Sequence, residues 1–273
     1  MPVASTHDLT LGSTTVTKRY SRWSRGEPHR EWRALQLVHA LEPDLVPRPL
    51  DCDLGDAAPY VTMSRVPGEP LGPDVAITPR CLDAAVEAIT TLHEAISPET
   101  LADLPERWWG PAVGIAEIRA WAGREGARGD LAGQDPSVQE ALAAGRRWVA
   151  AVPVSLTQTE RPVFARADGN AGNLIWDESR VRLVDFEDSG VSDLAYEIAD
   201  TVEHLSVWSD SGIAADDLLD RFALSPADQS RVGEYRRLWA LFWLLMLLPG
   251  NPADGRNPAG TLERAATRLL AQM

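Results

Sequence analysis

Three oxygen-bearing side chains follow one another in a short stretch of the second half of the chain. Asp168 and Asn173 stand five residues apart in a loop of small residues, 166–173, and Asp185 follows twelve residues later. Mg²⁺ suits such a set because it takes one or two protein carboxylates and completes its shell with water and phosphate oxygens. An aspartate in the same loop can also serve as a base. The pattern favours a magnesium site that handles phosphate.

Lys18 is the only lysine among the 26 basic residues, and the other 25 are arginines. This bias indicates that arginine replaces lysine wherever the two serve equally well. A lysine that remains marks a position where a compact ammonium is needed and a planar guanidinium does not serve. We therefore include Lys18 among the candidate functional residues.

The first 66 residues predict a small α+β lobe that positions Lys18. Short runs rich in threonine, valine and other strand formers alternate with turns, and one stretch has apolar residues at helical spacing. The predicted strands are 8–11, 14–20, 50–54 and 60–66, and the predicted helix is 27–41. The sequence Pro67-Gly68-Glu69-Pro70 predicts a linker, so we expect lobes at 1–66 and 67–273.

The second lobe is predicted to be mostly helical. Apolar stripes at helical spacing run from Leu82 to Ile96, from Leu194 to Leu205 and from Val232 to Met246. Ser225 and Asp228 form a predicted capping box at the start of the last of these helices. Short strands are predicted at 163–165, 174–176 and 181–186, where they flank the loop that carries Asp168.

Composition excludes several classes of partner. The 40 acidic residues exceed the basic ones and give a formal charge of −14, which disfavours nucleic acid and mildly favours cationic molecules. The longest apolar run, Leu238–Leu248, is too short to cross a membrane and predicts a buried helix. The first residues lack a secretion pattern, so we expect a cytoplasmic protein, and the two cysteines predict neither a disulfide framework nor a metal site. No pattern predicts an oligomeric state.

Taken in order, these residues resemble the protein-kinase-like fold, and within it the aminoglycoside phosphotransferase and choline kinase-like family. The resemblance rests on Lys18 on an early strand, Glu31 on the next helix, the D-x-x-x-x-N loop and the Asp185-Phe186-Glu187 corner. Three further stretches agree with the family, and they are the hinge-like 59–71, Leu92-His93 and 188–199. The resemblance covers roughly residues 3–205, and it implies a bilobal α+β fold with a small antiparallel sheet lobe and a large helical lobe.

The resemblance also implies a role for each candidate residue. It places Lys18 on the α- and β-phosphates of ATP, with Glu31 holding the lysine. Asp168 is the expected base for the acceptor hydroxyl, while Asn173 and Asp185 are the expected Mg²⁺ ligands. The remaining expected roles are adenine contact for Met63 and Ser64, phosphate contact for Ser5 and Thr6, and structural support for Asp193 and Arg166.

Two departures from the family pattern leave alternatives open. Arg166-Ala167-Asp168 stands where family members usually carry His-Gly-Asp, and the segment 4–8 lacks the glycine of the usual phosphate-covering loop. The leading hypothesis is an ATP- and Mg²⁺-dependent kinase that phosphorylates a hydroxyl of a small molecule, such as an aminoglycoside-like compound, an amino sugar or another alcohol. The alternatives are a nucleotide-binding pseudokinase with a regulatory or partner role and a Ser/Thr kinase that acts on a modified peptide.

Overall fold

The computed structural model describes residues 7–55, 57–126, 133–209 and 211–273, so Ser5 and Thr6 lie outside the described residues. The chain begins with an antiparallel sheet whose strand order is β1-β2-β4-β3. Its elements are β1 (Asp8–Leu11), β2 (Thr15–Arg19), the helix α1 (Glu27–Leu41), β3 (Pro49–Asp53) and β4 (Tyr60–Ser64). The predicted sheet lobe with one helix is confirmed, and α1 has the predicted bounds.

The register of this sheet separates an apolar face from a polar one. Lys18 pairs with Leu9, while Val16 pairs with Leu11 on one side and with Met63 on the other. Because directly paired residues share a face, these side chains all point to the same side. The alternate positions carry threonines, Arg19 and Tyr60, and form the opposite face.

The predicted linker after β4 contains a short strand, β5 (Glu69–Pro70), which pairs with a strand of the second half of the chain. Gly68 makes this close approach possible. Its φ is +111°, and a Cβ atom there would lie 2.4 Å from the carbonyl oxygen of Trp176. The segment that the turn residues predict to be a linker thus contains a strand pairing that the pattern does not predict. The boundary between residues 66 and 67 stays a prediction.

Four short strands build the frame of the second half. They are β6 (Pro162–Ala165), β7 (Leu174–Trp176), β8 (Val181–Leu183) and β9 (Gly190–Asp193), paired as β5-β7-β8 and β6-β9. The predicted strand at 181–186 ends at Leu183 because Asp185 adopts a φ of +69°, which no strand residue can keep. The strand β9 was not predicted. The loop 166–173 connects β6 to β7 and so lies between the two small sheets.

α-Helices make up most of the rest of the described chain. They are α2 (Pro79–Glu94), α3 (Pro98–Ala102), α4 (Pro111–Glu125), α5 (Pro136–Ala150), α6 (Leu194–Glu203), α7 (Leu205–Trp208), α8 (Ala215–Leu219), α9 (Pro226–Leu247) and α10 (Thr261–Ala271). Every residue of α6 is buried, and α9 packs along it. The capping box at Ser225 is confirmed. The apolar run after Leu238 is buried in α9, and no helix of the described ranges has the length and hydropathy to span a membrane.

Candidate active site

Lys18 lies at the centre of a cluster of carboxylates. Its side chain is 7% exposed, and Nζ lies 2.8 Å from Oε2 of Glu31 on α1 and 2.6 Å from Oε2 of Glu187. The ammonium also contacts Oδ1 of Asp185. Glu31 is held from two further sides, because Tyr20 donates its hydroxyl to Oε2 and the backbone N–H of Phe186 donates to Oε1 at 3.4 Å. The structure thus brings together three of the predicted site residues, Lys18, Glu31 and Asp185.

The electrostatics of this cluster follow from its burial and its charges. Burial by itself lowers the pKa of Lys18, but Glu31, Asp185 and Glu187 together raise it well above its usual range. Desolvation raises the pKa of Asp185 to about 6, and the neighbouring carboxylates add to that effect while Lys18 opposes it. The ammonium therefore stays charged, in a pocket with excess negative charge that a divalent cation can relieve.

The 166–173 loop holds Asp168 in a fixed orientation. Oδ2 accepts a hydrogen bond from Nδ2 of Asn173 at 2.7 Å, and Oδ1 accepts one from the backbone N–H of Asn170 at 3.0 Å. The carbonyl of Asn173 accepts from the N–H of Val184 at 3.1 Å, which ties the loop to the residue just before Asp185. The D-x-x-x-x-N motif is therefore one hydrogen-bonded unit beside the second aspartate.

Two residues of this region have strained backbones. Ala167 and Asp185 adopt φ values of +70° and +69°, although neither is glycine. Such conformations cost of order 1–3 kcal/mol and persist where the surrounding structure holds them, often at functional sites. Ala167 directly precedes the candidate base Asp168, and Asp185 is itself one of the candidate metal ligands.

The donor set fits a hard divalent cation. The amide oxygen of Asn173 has no hydrogen-bond partner among the described residues, and Asp185 and Glu187 bring carboxylate oxygens close together. Oxygen donors of this kind match Mg²⁺. Glu187 was not predicted as a site residue, although the Asp185-Phe186-Glu187 sequence placed it two positions from one. Its Oε2 also lies 2.8 Å from Nε2 of His7, which belongs to the segment 4–8 that is expected to cover phosphate.

Arg107, Glu197 and Asp200 form a buried polar cluster beside the loop, and no sequence motif predicts it. The buried guanidinium of Arg107, which follows α3, donates to the carbonyl of Ala167 at 3.1 Å and to Oδ2 of Asp200 at 3.3 Å. It also pairs with Glu197. Both acids lie on α6, whose apolar stripe at Leu194 and Ile198 gave a hint: two carboxylates within a buried helix require a buried cation.

The two predicted support residues, Asp193 and Arg166, differ in their contacts. Asp193 is fully buried and caps the N-terminus of α6, and its carboxylate accepts from the backbone N–H of Glu160 at 2.8 Å and of Ala195 at 3.1 Å. It therefore holds the start of β6 instead of reaching the loop itself. Arg166 is buried as well, and its Nη1 has no hydrogen-bond partner within the described ranges.

The apolar face of the first sheet lies open beside Lys18. Leu9 and Leu11 are 53% and 63% exposed, and they share this face with the buried side chain of Met63. The hydroxyl of Ser64, on the opposite face, accepts from the N–H of Arg48 at 2.8 Å. The exposed leucines offer an apolar surface and the buried ammonium offers a positive charge. A nucleotide requires both, because its nucleobase is flat and largely apolar and its phosphates are negative. The family resemblance predicts adenine contact for Met63 and gives no role to the two leucines.

Comparison with models of known protein families shows which family the chain belongs to. The model described as the phosphotransferase enzyme family matches residues 7–235. The chain belongs to this family. Membership confirms the predicted family resemblance and the predicted class of enzyme, a kinase of the small-molecule branch. No curated protein is similar enough in sequence to match the chain.

Solved structures agree on the fold. A choline/ethanolamine kinase family protein from Mesorhizobium loti has 17% identity and a TM-score of 0.65, over 99% of this chain and 86% of that chain. Aminoglycoside phosphotransferase APH(4)-Ia, solved with ADP and hygromycin B, has 16% identity and a TM-score of 0.59, over 100% and 91% of the two chains. APH(3'')-Id from Streptomyces rimosus has 19% identity and a TM-score of 0.58, over 86% and 92%. The predicted bilobal kinase-like fold is confirmed.

Proposed function

We propose that this phosphotransferase moves the γ-phosphoryl group of Mg²⁺-bound ATP to a hydroxyl of a small molecule, with Asp168 as the base. The observation that carries the proposal is the joining of Lys18, Glu31 and Asp185 in one cluster beside the bonded pair of Asp168 and Asn173. Phosphoryl transfer asks a protein for positioning and charge neutralisation, and these residues supply both.

In this proposal Lys18 binds the α- and β-phosphates. The ammonium lies against the carboxylates of Glu31, Asp185 and Glu187 in the structure, so phosphate oxygens must take the places of Asp185 and Glu187. Glu31 keeps its bond because it is buried and held by Tyr20. Mg²⁺, held by Asn173, Asp185 and Glu187, would neutralise charge on the phosphate oxygens when bound.

The acceptor hydroxyl approaches Asp168. The oxygen of the hydroxyl forms a bond to the γ-phosphorus, the bond from that phosphorus to the bridging oxygen breaks, and ADP leaves with the electron pair. Asp168 accepts the hydroxyl proton, and Asn173 and the N–H of Asn170 keep its carboxylate in place. An acceptor with cationic groups suits the net charge of −14 and the carboxylates of the cluster.

Thermal unfolding with and without Mg²⁺-ATP tests the nucleotide site. A ligand at a hundred times its Kd stabilises a protein by about 2.7 kcal/mol, which is about 5 °C for a chain of this size. We expect that shift for the natural protein and for Arg19→Ala, a neighbour of Lys18 on the solvent face of the same strand. We expect no shift for Lys18→Met or Asp185→Asn, each compared with its own melting temperature without ligand.

ADP release then tests turnover. The acceptors to try first are hygromycin B, gentamicin, streptomycin, choline and ethanolamine, which represent the chemistry named for the structural neighbours. Release that depends on an acceptor and is lost in Asp168→Asn supports the kinase. A Mg²⁺-ATP shift without any turnover would instead support the pseudokinase alternative, and absence of a shift at millimolar ATP would overturn the nucleotide site itself.

A further inference from the structure

His204 lies next to Asp168, although no sequence motif singles it out. It stands between α6 and α7, where its Nδ1 accepts from the backbone N–H of Ser206 at 3.2 Å and lies 2.8 Å from the Ser206 hydroxyl. That hydroxyl oxygen in turn accepts from the N–H of Ala171 in the 166–173 loop at 2.8 Å. Since Nδ1 is an acceptor, the proton of the neutral ring is on Nε2.

The neutral form is the one this environment favours. Burial lowers the pKa of His204 to about 4, against the opposing charge of Asp168. The edge-on packing of Trp243, with 4.6 Å between the ring centroids and planes at 82°, fixes the orientation of the imidazole. Nε2–H is therefore a fixed hydrogen-bond donor with a known direction.

That donor faces the candidate base across a gap. Nε2 of His204 lies 3.7 Å from Oδ1 of Asp168, which is too long for a hydrogen bond. An oxygen atom about 2.8 Å from both atoms completes a triangle with ordinary hydrogen-bond lengths. The side chains of His204 and Asp168 are 15% and 35% exposed, so both are partly open to solvent.

We propose that His204 binds the acceptor hydroxyl together with Asp168. In the reaction proposed above, on which this inference rests, Nε2–H donates to the hydroxyl oxygen while Asp168 accepts the hydroxyl proton. The other lone pair of that oxygen attacks the γ-phosphorus, and the bond to the bridging oxygen of ADP breaks. His204 keeps its own proton throughout, and the proton lost by the hydroxyl is on Asp168.

This arrangement also selects the group that reaches Asp168. A cationic acceptor carries ammonium groups as well as hydroxyls, and a carboxylate alone attracts the ammonium first. An ammonium has three donors and no lone pair, so it cannot accept from Nε2–H, whereas a hydroxyl both donates and accepts. His204 thus favours a hydroxyl over an ammonium at the point of attack.

Two substitutions separate this role from a structural one. In His204→Gln, the amide N–H₂ reaches the position of Nε2 but nothing replaces Nδ1. In His204→Asn, the amide oxygen replaces Nδ1 and can bond Ser206, but no donor reaches Asp168. If His204 binds the acceptor, Gln retains activity and Asn loses it. If it only holds α7 and the loop, Asn retains activity and Gln loses it.

The assay measures ADP release from Mg²⁺-ATP, with water alone as acceptor and with each of the five acceptors above. We expect kcat/KM for the acceptor to fall about tenfold in His204→Asn and to stay within about threefold in His204→Gln, the size of one lost hydrogen bond. The KM for ATP and the Mg²⁺-ADP melting shift should be unchanged in both. His29→Gln, on the exposed side of α1, is the matched control.

Equal activity of both variants and the natural protein, or retention in Asn with loss in Gln, would overturn the role of His204 while leaving the kinase intact. A natural protein that binds nucleotide but releases no ADP under any condition would overturn the proposed function, and this inference with it. The two failures are therefore distinguishable in the same experiment.

Discussion

Replacing Arg107 with methionine leaves two carboxylates buried beneath the 166–173 loop without the guanidinium that pairs them. The side chains of Arg107, Glu197 and Asp200 are 3%, 6% and 4% exposed. Breaking a buried ion pair from one side costs about 3–5 kcal/mol because the remaining charge has neither water nor a partner. An unfolding entropy of about 2.1 cal/mol/K per residue converts this loss to about 5–9 °C for this chain.

The loss caused by Arg107→Met should depend on pH. Burial raises the pKa of Asp200 to about 7, and Arg107 opposes that shift. Without the arginine the pKa rises further. A raised carboxyl pKa means that the folded state holds a proton that the unfolded state releases near pH 4, so stability falls as pH rises up to the folded pKa. That fall ends near pH 7 in the natural protein and continues above pH 7 in the variant.

Melting temperatures at pH 6 and pH 9 measure this directly, with the exposed Arg124→Met on α4 as control. The gap between variant and natural protein should be larger at pH 9, and Asp200→Asn in the same chain should restore part of the loss. In activity, kcat should fall about tenfold with little change in the KM for ATP, because Arg107 holds the carbonyl of Ala167. A gap below about 2 °C, or one equal at both pH values, would refute the reasoning.

Three other substitutions test the open apolar face of the first sheet, the packing of β9 and the buried histidine of α2. Leu11→Glu on the open apolar face should weaken Mg²⁺-ATP binding about tenfold by calorimetry, whereas Thr10→Glu on the opposite face should not. Gly190→Ala should destabilise the fold by about 1–3 kcal/mol in urea, because its Cβ would lie 2.5 Å from the backbone N of Arg107. Burial lowers the pKa of His93 to about 4, whereas the histidine of the unfolded chain takes up a proton near pH 6.5. The natural protein should therefore lose about 2 kcal/mol of stability between pH 7 and pH 5. In His93→Gln this loss should be absent when unfolding is measured at the two pH values.

Local sequence patterns predicted the elements that carry the site. Apolar residues at helical spacing and an early proline predict the helix 27–41. This helix places Glu31 against Lys18 on the adjacent strand. The bond between Asp168 and Asn173 spans only five residues, so a motif can encode it. In each case the partners are close in sequence or lie on elements whose pairing follows from short turns.

The remaining contacts join distant segments and have no spacing to reveal them. Arg107 meets Ala167 across 60 residues, and Ser206 meets Ala171 across 35. These partners follow from the packing of α6 and α7 under the loop, which no single stretch of sequence encodes. The sequence does place two acids, Glu197 and Asp200, within an apolar helix. That pattern predicts a buried cation beside them but does not identify it.

Arg166 shows why a departure from the family pattern need not distort the site. If the residue at this position set the loop geometry, replacing the usual histidine would displace Asp168. Instead the carbonyl of Ala167 is bound by Arg107, and the N–H of Ala171 is bound by Ser206. The loop is therefore fixed on both sides of Asp168 by groups from other segments, while Nη1 of Arg166 bonds to nothing among the described residues. With an arginine at 166, the loop therefore keeps Asp168 and its hydrogen bond to Asn173 in place.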